Sequence, residues 1–369
     1  MSKDRDEYYM NLALTLAEKG RGTVSPNPMV GAVIVKNDRV IGKGYHEKYG
    51  HPHAEVNAFD SATEDVEGAT IYITLEPCSH YGKTPPCADL IVRKKVKRVV
   101  VGALDPNPLV SGRGIKKIKA AGIEVASGVL AEKSRQLNEV FMKFITEKKP
   151  FVVLKTAMSL DGKIATSKGE SKWITGEESR KKVHQERAYL TGIMVGINTV
   201  LKDNPKLTAR ILNVKNPVRI VVDSQLRIPL DTNIVQKQEE APTIILTTKK
   251  ADPEKVSLLT EKGVTVLIVS EQKGRVNLRE GMEKLGERNI DSILLEGGSE
   301  LNYSSLEARI VDKVQVYIAP KIIGGTTSPT PVGGKGIESL SKVFPVERIT
   351  IKMIGEDVFV EGYIKRKVD

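Results

Sequence analysis

The spacing of apolar and polar residues predicts a mixed α/β chain from its first segment onward. Apolar residues at helical spacing run through YYMNLALTLAEKG and end at Gly20. The runs MVGAVIV and RVIGKGY then flank Asn37-Asp38, which predicts two strands joined by a tight hairpin turn. Further along, strand-like and helix-like segments alternate through ATIYITL, CADLIVRKK, RVVVGAL, GIKKIKAAG and IEVASGV. This alternation predicts a three-layer domain in which helices cover both faces of a sheet.

A second series of strands begins after the charged segment TEKKPF, which predicts a domain boundary near residue 148. We therefore expect domains at 1–147 and 148–369. The strand-like runs of the second domain are FVVLKTAMSL, GIMVG, VRIVVDS, TIILTT, VTVLIVS, SILLEGG and VDKVQVYIA, and the helix-like runs are EESRKKVHQERAYL and LREGMEKLGERN. No G-x-G-x-x-G follows the first of these strands, so a standard dinucleotide fold is not supported. Gly297-Gly298 closes a strand before a helix start, where free N–H groups could hold a phosphate, although a simple turn would use the same pair.

Charge and hydropathy narrow the possible partners. The 369 residues include 57 Lys and Arg against 46 Asp and Glu, a formal net charge of +11. This charge leaves nucleic acid, a membrane surface or phosphorylated small molecules as possible partners. The basic residues are dispersed in short groups typical of solvated helix faces, so we expect no nucleic-acid partner. The sequence has no apolar run long enough to cross a bilayer and no signal-peptide pattern at its start. We therefore expect a cytoplasmic protein with no membrane partner.

The strongest chemical signal is a histidine and two cysteines. The segment HAE at 53–55 precedes Cys78 and Cys87, the two cysteines of the chain, and a proline stands before each. Imidazole and thiolates bind zinc, and three such ligands leave the fourth position for a water. Glu55 could then move that water's proton, as in the zinc deaminases of bases, although the usual Pro-Cys-x-x-Cys is widened here. Two buried cysteines remain an alternative, and a disulfide is disfavoured in a reducing compartment.

Longer segments resemble a known family. In order and spacing, SPNPMVGAVIV, HAE, EPCSHYGKTPPC and DPNPLVSGRG resemble the pyrimidine deaminase of riboflavin biosynthesis. The segments KTAMSLDGKIA, SKWIT, VHQERA, NTVLKDNPKLTAR and ILLEGG are similar to the reductase of the same pathway. The resemblance covers nearly the whole chain and identifies it as a member of the bifunctional deaminase and reductase family. It implies an α/β fold class: an N-terminal cytidine-deaminase-like three-layer domain and a C-terminal dihydrofolate-reductase-like domain.

For the first domain, the resemblance implies zinc-dependent hydrolytic deamination of 2,5-diamino-6-(5-phosphoribosylamino)pyrimidin-4(3H)-one. It places the Zn²⁺ ligands at His53, Cys78 and Cys87, and the catalytic acid and base at Glu55. It implies five substrate contacts, namely Asn27, His46, His80, Lys83 and Asn107. Alternatively, the asparagines form turns before proline, His46 is a surface residue after a strand, and Lys83 is solvated.

For the second domain, the resemblance implies NADPH-dependent reduction of the ribosyl group to a ribityl side chain. The implied cofactor-binding residues are Ala157, Trp173, Thr175, Thr199, Asp203 and Gly298. The implied substrate-binding residues are Ser171, Arg187, Leu207, Arg210 and Glu296. A guanidinium fork can grip a ribose 5-phosphate through two hydrogen bonds. Alternatively, Trp173 is a core aromatic and Arg187 an ordinary residue of a charged helix face.

Two other classes of protein share part of the pattern. A tRNA or nucleoside deaminase with an accessory α/β domain would contain the same zinc residues, but the long loop between the cysteines and the second domain disfavour it. A zinc-stabilised binding module is disfavoured by Glu55, because a structural zinc takes four protein ligands and needs no adjacent acid. We further expect the chain to form a homo-oligomer.

Overall fold

The structure is a computed structural model that describes residues 3–79, 81, 85–107, 110–212 and 214–365. Contacts between Cα atoms divide the chain into two compact units, Met1–Lys148 and Lys149–Asp369. Each unit has its own sheet and its own apolar core. Within the described part of the chain, no helix is long and apolar enough to cross a membrane.

The first unit is a five-stranded sheet with helices on both faces. Its strands, in the spatial order β2-β1-β3-β4-β5, are β1 (Gly31–Lys36), β2 (Arg39–Tyr45), β3 (Thr70–Leu75), β4 (Arg98–Ala103) and β5 (Glu124–Ser127). Its helices are α1 (Lys3–Ala17), α2 (Ala54–Asp60), α3 (Cys87–Arg93), α4 (Arg113–Ala120), α5 (Ala131–Leu137) and α6 (Glu139–Glu147). Strand β1 runs antiparallel to its neighbours, whereas β3, β4 and β5 are parallel. The predicted three-layer arrangement is confirmed.

Burial of apolar side chains on both faces holds these layers together. Against one face, α1 packs Met10 and Ala13 onto Val33, Tyr72 and Val100 of the sheet. Against the other face, α2, α3 and α4 pack Ala58, Ile91 and Ile118 onto Ile34, Ile71 and Val99. The strand β3 is buried along its whole length, which explains the nearly continuous apolar run TIYITL.

Two local features explain why the first unit folds as the pattern predicts. Asn37 and Asp38 have φ angles of 47° and 62°, the left-handed pair that a two-residue hairpin turn requires. In α1, Asp6 accepts two hydrogen bonds from Arg98 of β4, at 2.7 and 2.8 Å, and one from the Tyr72 hydroxyl at 3.0 Å. This largely buried ion pair ties α1 to the centre of the sheet.

The second unit is built on a nine-stranded sheet in the order β10-β9-β8-β7-β13-β6-β14-β16-β15. The strands from β10 to β14 in this order are parallel, and β16 and β15 complete the sheet as an antiparallel pair. The strands are β6 (Phe151–Ser159), β7 (Gly192–Gly196), β8 (Val218–Val222), β9 (Thr243–Thr247), β10 (Thr265–Ile268), β13 (Ser292–Leu295), β14 (Lys313–Ala319), β15 (Val346–Ile354) and β16 (Asp357–Ile364), with a small separate hairpin of β11 (Glu271–Gln272) and β12 (Arg275–Val276).

Helices cover both faces of this sheet as well. They are α7 (Glu177–Tyr189), α8 (Ile197–Asp203), α9 (Asn233–Gln236), α10 (Pro253–Glu261), α11 (Leu278–Gly286) and α12 (Ser299–Glu307). One apolar layer joins α11 and α12 to the sheet, and a second joins α8 and α10 to its opposite face. Because the central strands are parallel, their carboxyl ends meet at one edge, where loops and helix starts form a crevice suited to ligands.

Candidate active sites

The histidine and the two cysteines come together at one end of the first sheet. His53 stands directly before α2, Cys78 follows β3, and Cys87 is the first residue of α3. The Cys78 and Cys87 sulfurs lie 3.7 and 3.3 Å from the His53 Nδ1, and the three ligand atoms all fall within 4.8 Å of one another. One imidazole and two thiols in this arrangement fit a zinc ion that keeps a fourth position for a small molecule.

The environment of these groups favours metal binding. Hydrogen bonds from the Cys87 thiol, the His53 ring and the Cys87 amide lower the pKa of Cys78 to about 4. The amide donates to the Cys78 sulfur over 3.2 Å, at the first turn of α3. Cys78 is therefore a thiolate near neutral pH, and the thiolate is the form of cysteine that binds a metal.

Glu55 lies in the first turn of α2, so the helix places its carboxyl group beside the cluster. The side chain is 3% exposed. Burial, reinforced by the charge of Cys78, raises the pKa of Glu55 to about 7. A carboxyl group that titrates near neutral pH can both accept and return a proton, which a general acid and base must do.

Two of the predicted substrate contacts lie next to this cluster. His46 is buried, and its ring centroid is 5.5 Å from that of His53. Its Nδ1 lies 3.1 Å from the Pro52 carbonyl oxygen, and its Nε2 lies 3.1 Å from the Asn27 Nδ2. Burial lowers the pKa of His46, so the neutral ring donates to the carbonyl and accepts from the amide. This chain of hydrogen bonds fixes the orientation of the Asn27 amide.

The structure describes only some of the other predicted substrate contacts of the first unit. Asn107 follows β4, and its backbone N–H donates to the Asp105 carboxylate over 2.8 Å in a tight turn. His80 and Lys83 lie outside the described residues. His51, which we expect to be structural or exposed, is exposed.

Sequence reasoning missed Glu76, the residue before Pro77-Cys78. Its buried carboxylate accepts hydrogen bonds from the N–H groups of Gly112, Gly114 and Ile115 at 3.0, 3.1 and 3.3 Å, at the start of α4. A negative charge is favourable at a helix N-terminus. Glu76 thereby links the start of α4 to the segment that leads to Cys78. A charged residue directly after a buried strand was the available signal.

In the second unit, a cavity of about 770 Å³ opens at the carboxyl ends of the parallel strands. It is lined by the ends of β6, β7, β8 and β13 and by the first turns of α8 and α12. Six of the predicted binding residues line it, namely Ala157, Ser171, Thr199, Asp203, Glu296 and Gly298. Gly298 stands directly before α12, as predicted, and open space surrounds the position that a Cβ would take there.

Two members of an ionic cluster, Lys155 and Glu296, line this cavity. Glu296 accepts hydrogen bonds from the Arg187 Nε at 2.6 Å and Nη2 at 3.1 Å, and from the Lys155 Nζ at 3.3 Å. Burial alone would raise the pKa of Glu296, but the two cations outweigh it and lower that pKa well below its usual range. Lys155, which sequence reasoning missed, lines the cavity and is the charged residue of the mostly apolar strand FVVLKTAMS.

The remaining predicted residues of the second unit are not part of the cavity lining. Trp173 is 61% exposed, and the Arg180 guanidinium lies 4.7 Å from the centroid of its ring. Thr175 is buried, and its carbonyl accepts a hydrogen bond from Arg180 over 2.7 Å. The alternative of a core tryptophan is therefore wrong, since the side chain is exposed and held by a cation.

Leu207 and Arg210 flank the ionic cluster. The Leu207 side chain is part of the apolar core, so only its backbone can face a ligand. Arg210 is exposed and lies near enough to His184 that it helps Arg187 lower the pKa of that histidine, after burial as the main cause. Arg187 also donates to the Thr208 carbonyl over 3.2 Å, which joins α7 to the segment that contains Arg210.

Comparison with known proteins finds a match for each unit. Residues 3–103 match the cytidine and deoxycytidylate deaminase zinc-binding region, and residues 150–360 match the RibD C-terminal domain. The riboflavin biosynthesis protein RibD of Actinobacillus pleuropneumoniae is 50% identical over 353 residues, which cover 96% of this chain and 94% of that protein. RibD of Aquifex aeolicus is 48% identical over 98% of this chain and 99% of its own length.

Solved structures show the same two-part architecture. A deaminase/reductase from Thermotoga maritima, described as acting on diaminohydroxyphosphoribosylaminopyrimidine and 5-amino-6-(5-phosphoribosylamino)uracil, is 38% identical, with a TM-score of 0.85 over 98% of this chain and 99% of that one. RibD of Acinetobacter baumannii is 35% identical, with a TM-score of 0.88 over 99% of this chain and 100% of that one. These full-length matches set aside the tRNA deaminase and the binding module, and they confirm the predicted fold class and zinc-binding region. The chain belongs to the RibD family of bifunctional deaminases and reductases of riboflavin biosynthesis.

Proposed function

We propose that the first unit deaminates the 2-amino group of 2,5-diamino-6-(5-phosphoribosylamino)pyrimidin-4(3H)-one. The observation that carries the proposal is the placement of buried Glu55 beside three metal-ligating atoms within 4.8 Å of one another. His53, Cys78 and Cys87 would hold Zn²⁺, which when bound lowers the pKa of a coordinated water. Glu55 takes the proton of the attacking water, delivers it to the ring nitrogen, and then protonates the departing amino group as ammonia.

The neighbouring polar groups orient the pyrimidine for this attack. Asn27 presents an amide whose NH₂ group is already engaged by His46, which leaves the amide in one orientation. Asn107, held in its turn by Asp105, follows β4, which runs parallel to the strand that leads to Cys78. We assign these residues to substrate binding, together with His80 and Lys83 of the loop between the cysteines.

The second unit reduces the ribosyl group of the deaminated product to ribityl. NADPH supplies a hydride when bound. Gly298 and the first turn of α12 offer N–H groups to its phosphates, and Ala157, Thr199 and Asp203 line the same cavity. Trp173 and Thr175 belong to the loop that Arg180 holds together, and we assign them to the cofactor as well.

Charged groups in and beside the cavity bind and orient the sugar phosphate. Glu296 holds the Lys155 ammonium and the Arg187 guanidinium in fixed positions, so the ammonium can donate a proton to the sugar ring oxygen as the C1′–oxygen bond opens. The opened C1′ would then accept the hydride that the bound cofactor supplies. We assign Arg210 to the 5-phosphate, and Ser171 and the Leu207 backbone to the sugar.

Product analysis tests both halves at once. The full chain, loaded with Zn²⁺, is incubated with the diaminopyrimidine substrate, with and without NADPH, and the products are identified by mass spectrometry. We expect the deaminated ribosyl compound without NADPH and its ribityl form with NADPH. Unchanged substrate in both reactions would contradict the proposal, and reduction without deamination would contradict the order of steps.

We also propose a homodimer formed through the second unit. The outermost strand β15 exposes a row of apolar side chains, including Ile349, Ile351 and Met353 at 55%, 68% and 61%. An exposed apolar sheet edge is unfavourable in water, and pairing with a second copy would cover it. Sedimentation equilibrium should give a dimer for the native chain and a monomer for Ile351→Lys; a native monomer would contradict the proposal.

A further inference from the structure

Tyr317, on β14, is a buried tyrosine whose hydroxyl group the proposed reaction does not use. The residue is 0% exposed, and its hydroxyl forms no hydrogen bond with any other residue that the structure describes. A buried hydroxyl without a partner costs free energy that a phenylalanine at the same position would avoid. Its neighbour on β16 is such a residue: Phe359 lies directly opposite in the sheet, is 1% exposed, and has its ring centroid 4.8 Å away. Apolar packing alone therefore does not account for a tyrosine at position 317.

The sheet places Tyr317 beside Lys155, the proposed proton donor of the ionic cluster. Tyr317 lies opposite Ala157 of β6 in parallel register, and Gln315 lies opposite Lys155. Because side chains alternate between the two faces along a strand, Tyr317 and Lys155 project from the same face of adjacent strands. One strand spacing and two residues along the chain separate their Cα atoms by roughly 8 Å. Long and aromatic side chains can meet across such a diagonal.

Helix α7 covers this face of the sheet and brings a carboxylate toward the hydroxyl. Val183 packs in one apolar cluster with Tyr317. Glu186 and Arg187 follow Val183 by three and four residues, so the three share one face of the helix. Burial, and then the negative charge of Glu186 as the strongest of the nearby charges, raises the pKa of Tyr317 above its usual range. The Glu186 side chain is 15% exposed and pairs at 2.7 Å with the more exposed Lys182, so it connects the buried hydroxyl to the solvent.

Two further carboxylates near Tyr317, those of Glu296 and Glu361, also raise its pKa. The ionic cluster holds Glu296 in place. Glu361 accepts a hydrogen bond from Gln315 over 2.9 Å and pairs with Lys313 at 3.2 Å. Cations therefore neutralise both carboxylates, and the Tyr317 hydroxyl keeps its proton at neutral pH, where it is a donor.

The proposed reduction consumes one proton per turnover. The Lys155 ammonium gives a proton to the sugar ring oxygen and is left as a neutral amine. Lys155 must therefore regain a proton from the solvent before the next turnover. The nitrogen of a neutral amine is a hydrogen-bond acceptor, and the hydroxyl of Tyr317 is a donor without an acceptor.

We propose that Tyr317 relays a proton from Glu186 to Lys155 after each reduction. This inference rests on the proposed role of Lys155 as the proton donor. The Tyr317 O–H bond breaks as its proton passes to the Lys155 nitrogen, and the phenol oxygen takes the proton of the Glu186 carboxyl group, which gains it from water. One proton thereby enters from the solvent for each hydride that the substrate accepts, and Lys155 returns to its ammonium form.

Rapid mixing of the full chain with NADPH and the deaminated ribosyl substrate tests the relay. The first turnover uses the proton that Lys155 already carries, so Tyr317→Phe should oxidise a single equivalent of NADPH at the native rate. Later turnovers wait for a proton, so the steady-state rate should fall at least about tenfold. Glu186→Gln should show the same two phases. Tyr189→Phe, at an exposed tyrosine that ends the same helix, is the matched control and should keep native rates in both phases.

Two measurements without turnover separate a relay from a structural role. The melting temperature of Tyr317→Phe should not fall, since the substitution removes a hydroxyl without a partner. Fluorescence titration should give the native dissociation constant for NADPH. If Tyr317→Phe slows the first turnover as much as the later ones, Tyr317 has a structural role and the relay is overturned.

The remaining outcomes are equally decisive. Native rates in both phases of Tyr317→Phe would overturn the relay. If that variant does not fold, Glu186→Gln decides, because native rates in both of its phases would overturn the relay as well. A native chain that does not oxidise NADPH with this substrate would instead contradict the proposed function.

Discussion

Substitution of Gly298 by valine gives the sharpest test of the cofactor cavity, because the free protein has room for the new side chain. No atom lies within 4 Å of the position that a Cβ would take, and the φ angle of −78° is one that any residue adopts. The fold should therefore tolerate the valine. Only a ligand seated against the N–H groups at the start of α12 would meet its methyl groups.

The expected loss follows from the bonds that the valine displaces. A hydrogen bond to a charged phosphate contributes about 1.5–3 kcal/mol, so the loss of one raises the dissociation constant for NADPH about tenfold to a hundredfold. Fluorescence titration of NADPH should show this rise in Gly298→Val, whereas the deaminase rate should match that of the native chain. Equal affinity of the two proteins for NADPH would show that the glycine pair is only a turn.

Gly297 provides a contrasting control one residue earlier. A Cβ there would lie 2.6 Å from the Asn302 Oδ1 and 3.1 Å from the Leu301 Cβ, so the neighbouring helix would have to shift. Gly297→Ala should therefore lower the melting temperature, while Gly298→Val should not. If both variants lower the melting temperature by a similar amount, Gly298 is not an open position available to a ligand.

Three further substitutions test other parts of the argument. Glu55→Gln should slow deamination at least about a hundredfold while zinc content, measured by atomic absorption, stays at the native level; zinc loss like that in Cys78→Ser would show that Glu55 is a ligand. Arg210→Ala should raise the KM for the phosphorylated reductase substrate about thirtyfold, which corresponds to a loss of about 2 kcal/mol of binding free energy. If the variant changes the KM for phosphorylated and dephosphorylated substrate equally, Arg210 does not contact the phosphate. Asp6→Asn should cost about 1–3 kcal/mol of unfolding free energy at pH 7, because the hydrogen bond from Arg98 lowers the pKa of Asp6. That stability is fully present above the ordinary aspartate pKa of about 4 and is lost as the pH falls through the lowered value, so denaturant melts of the two proteins should converge in acid.

The elements with a strong apolar period could be predicted from the sequence, and those without it could not. The hairpin at Asn37-Asp38 and the buried strand β3 follow directly from residue types. In contrast, α8 (INTVLKD) and α9 (NIVQ) are too short for a helical period to show. The strand β15 is exposed along nearly its whole length, so its side chains do not alternate between a buried and an exposed face.

The site residues, too, could be predicted only where the residue types themselves indicate the chemistry. The zinc residues could be found because three uncommon side chains share one short part of the chain. Glu76 and Lys155 could not, since each acts through partners distant in sequence: Glu76 through the start of α4, and Lys155 through Glu296, 141 residues away. A polar residue inside an apolar strand marks such a position, but it does not name the partner.

Glu55 and Glu296 show that the charged groups around a glutamate decide its role. Glu55 is 3% exposed, and the side chain of Glu296 is 12% exposed. Burial raises the pKa of each carboxyl group. At Glu55 this effect is the larger one, so the carboxyl group can bind and release a proton near neutral pH. Around Glu296 the charges of Arg187 and Lys155 reverse it, so the group stays ionised and holds two cations in place. One residue type under similar burial thus serves as a proton carrier in one unit and as a fixed anion in the other, and the difference lies in cations contributed by strands and helices elsewhere in the chain.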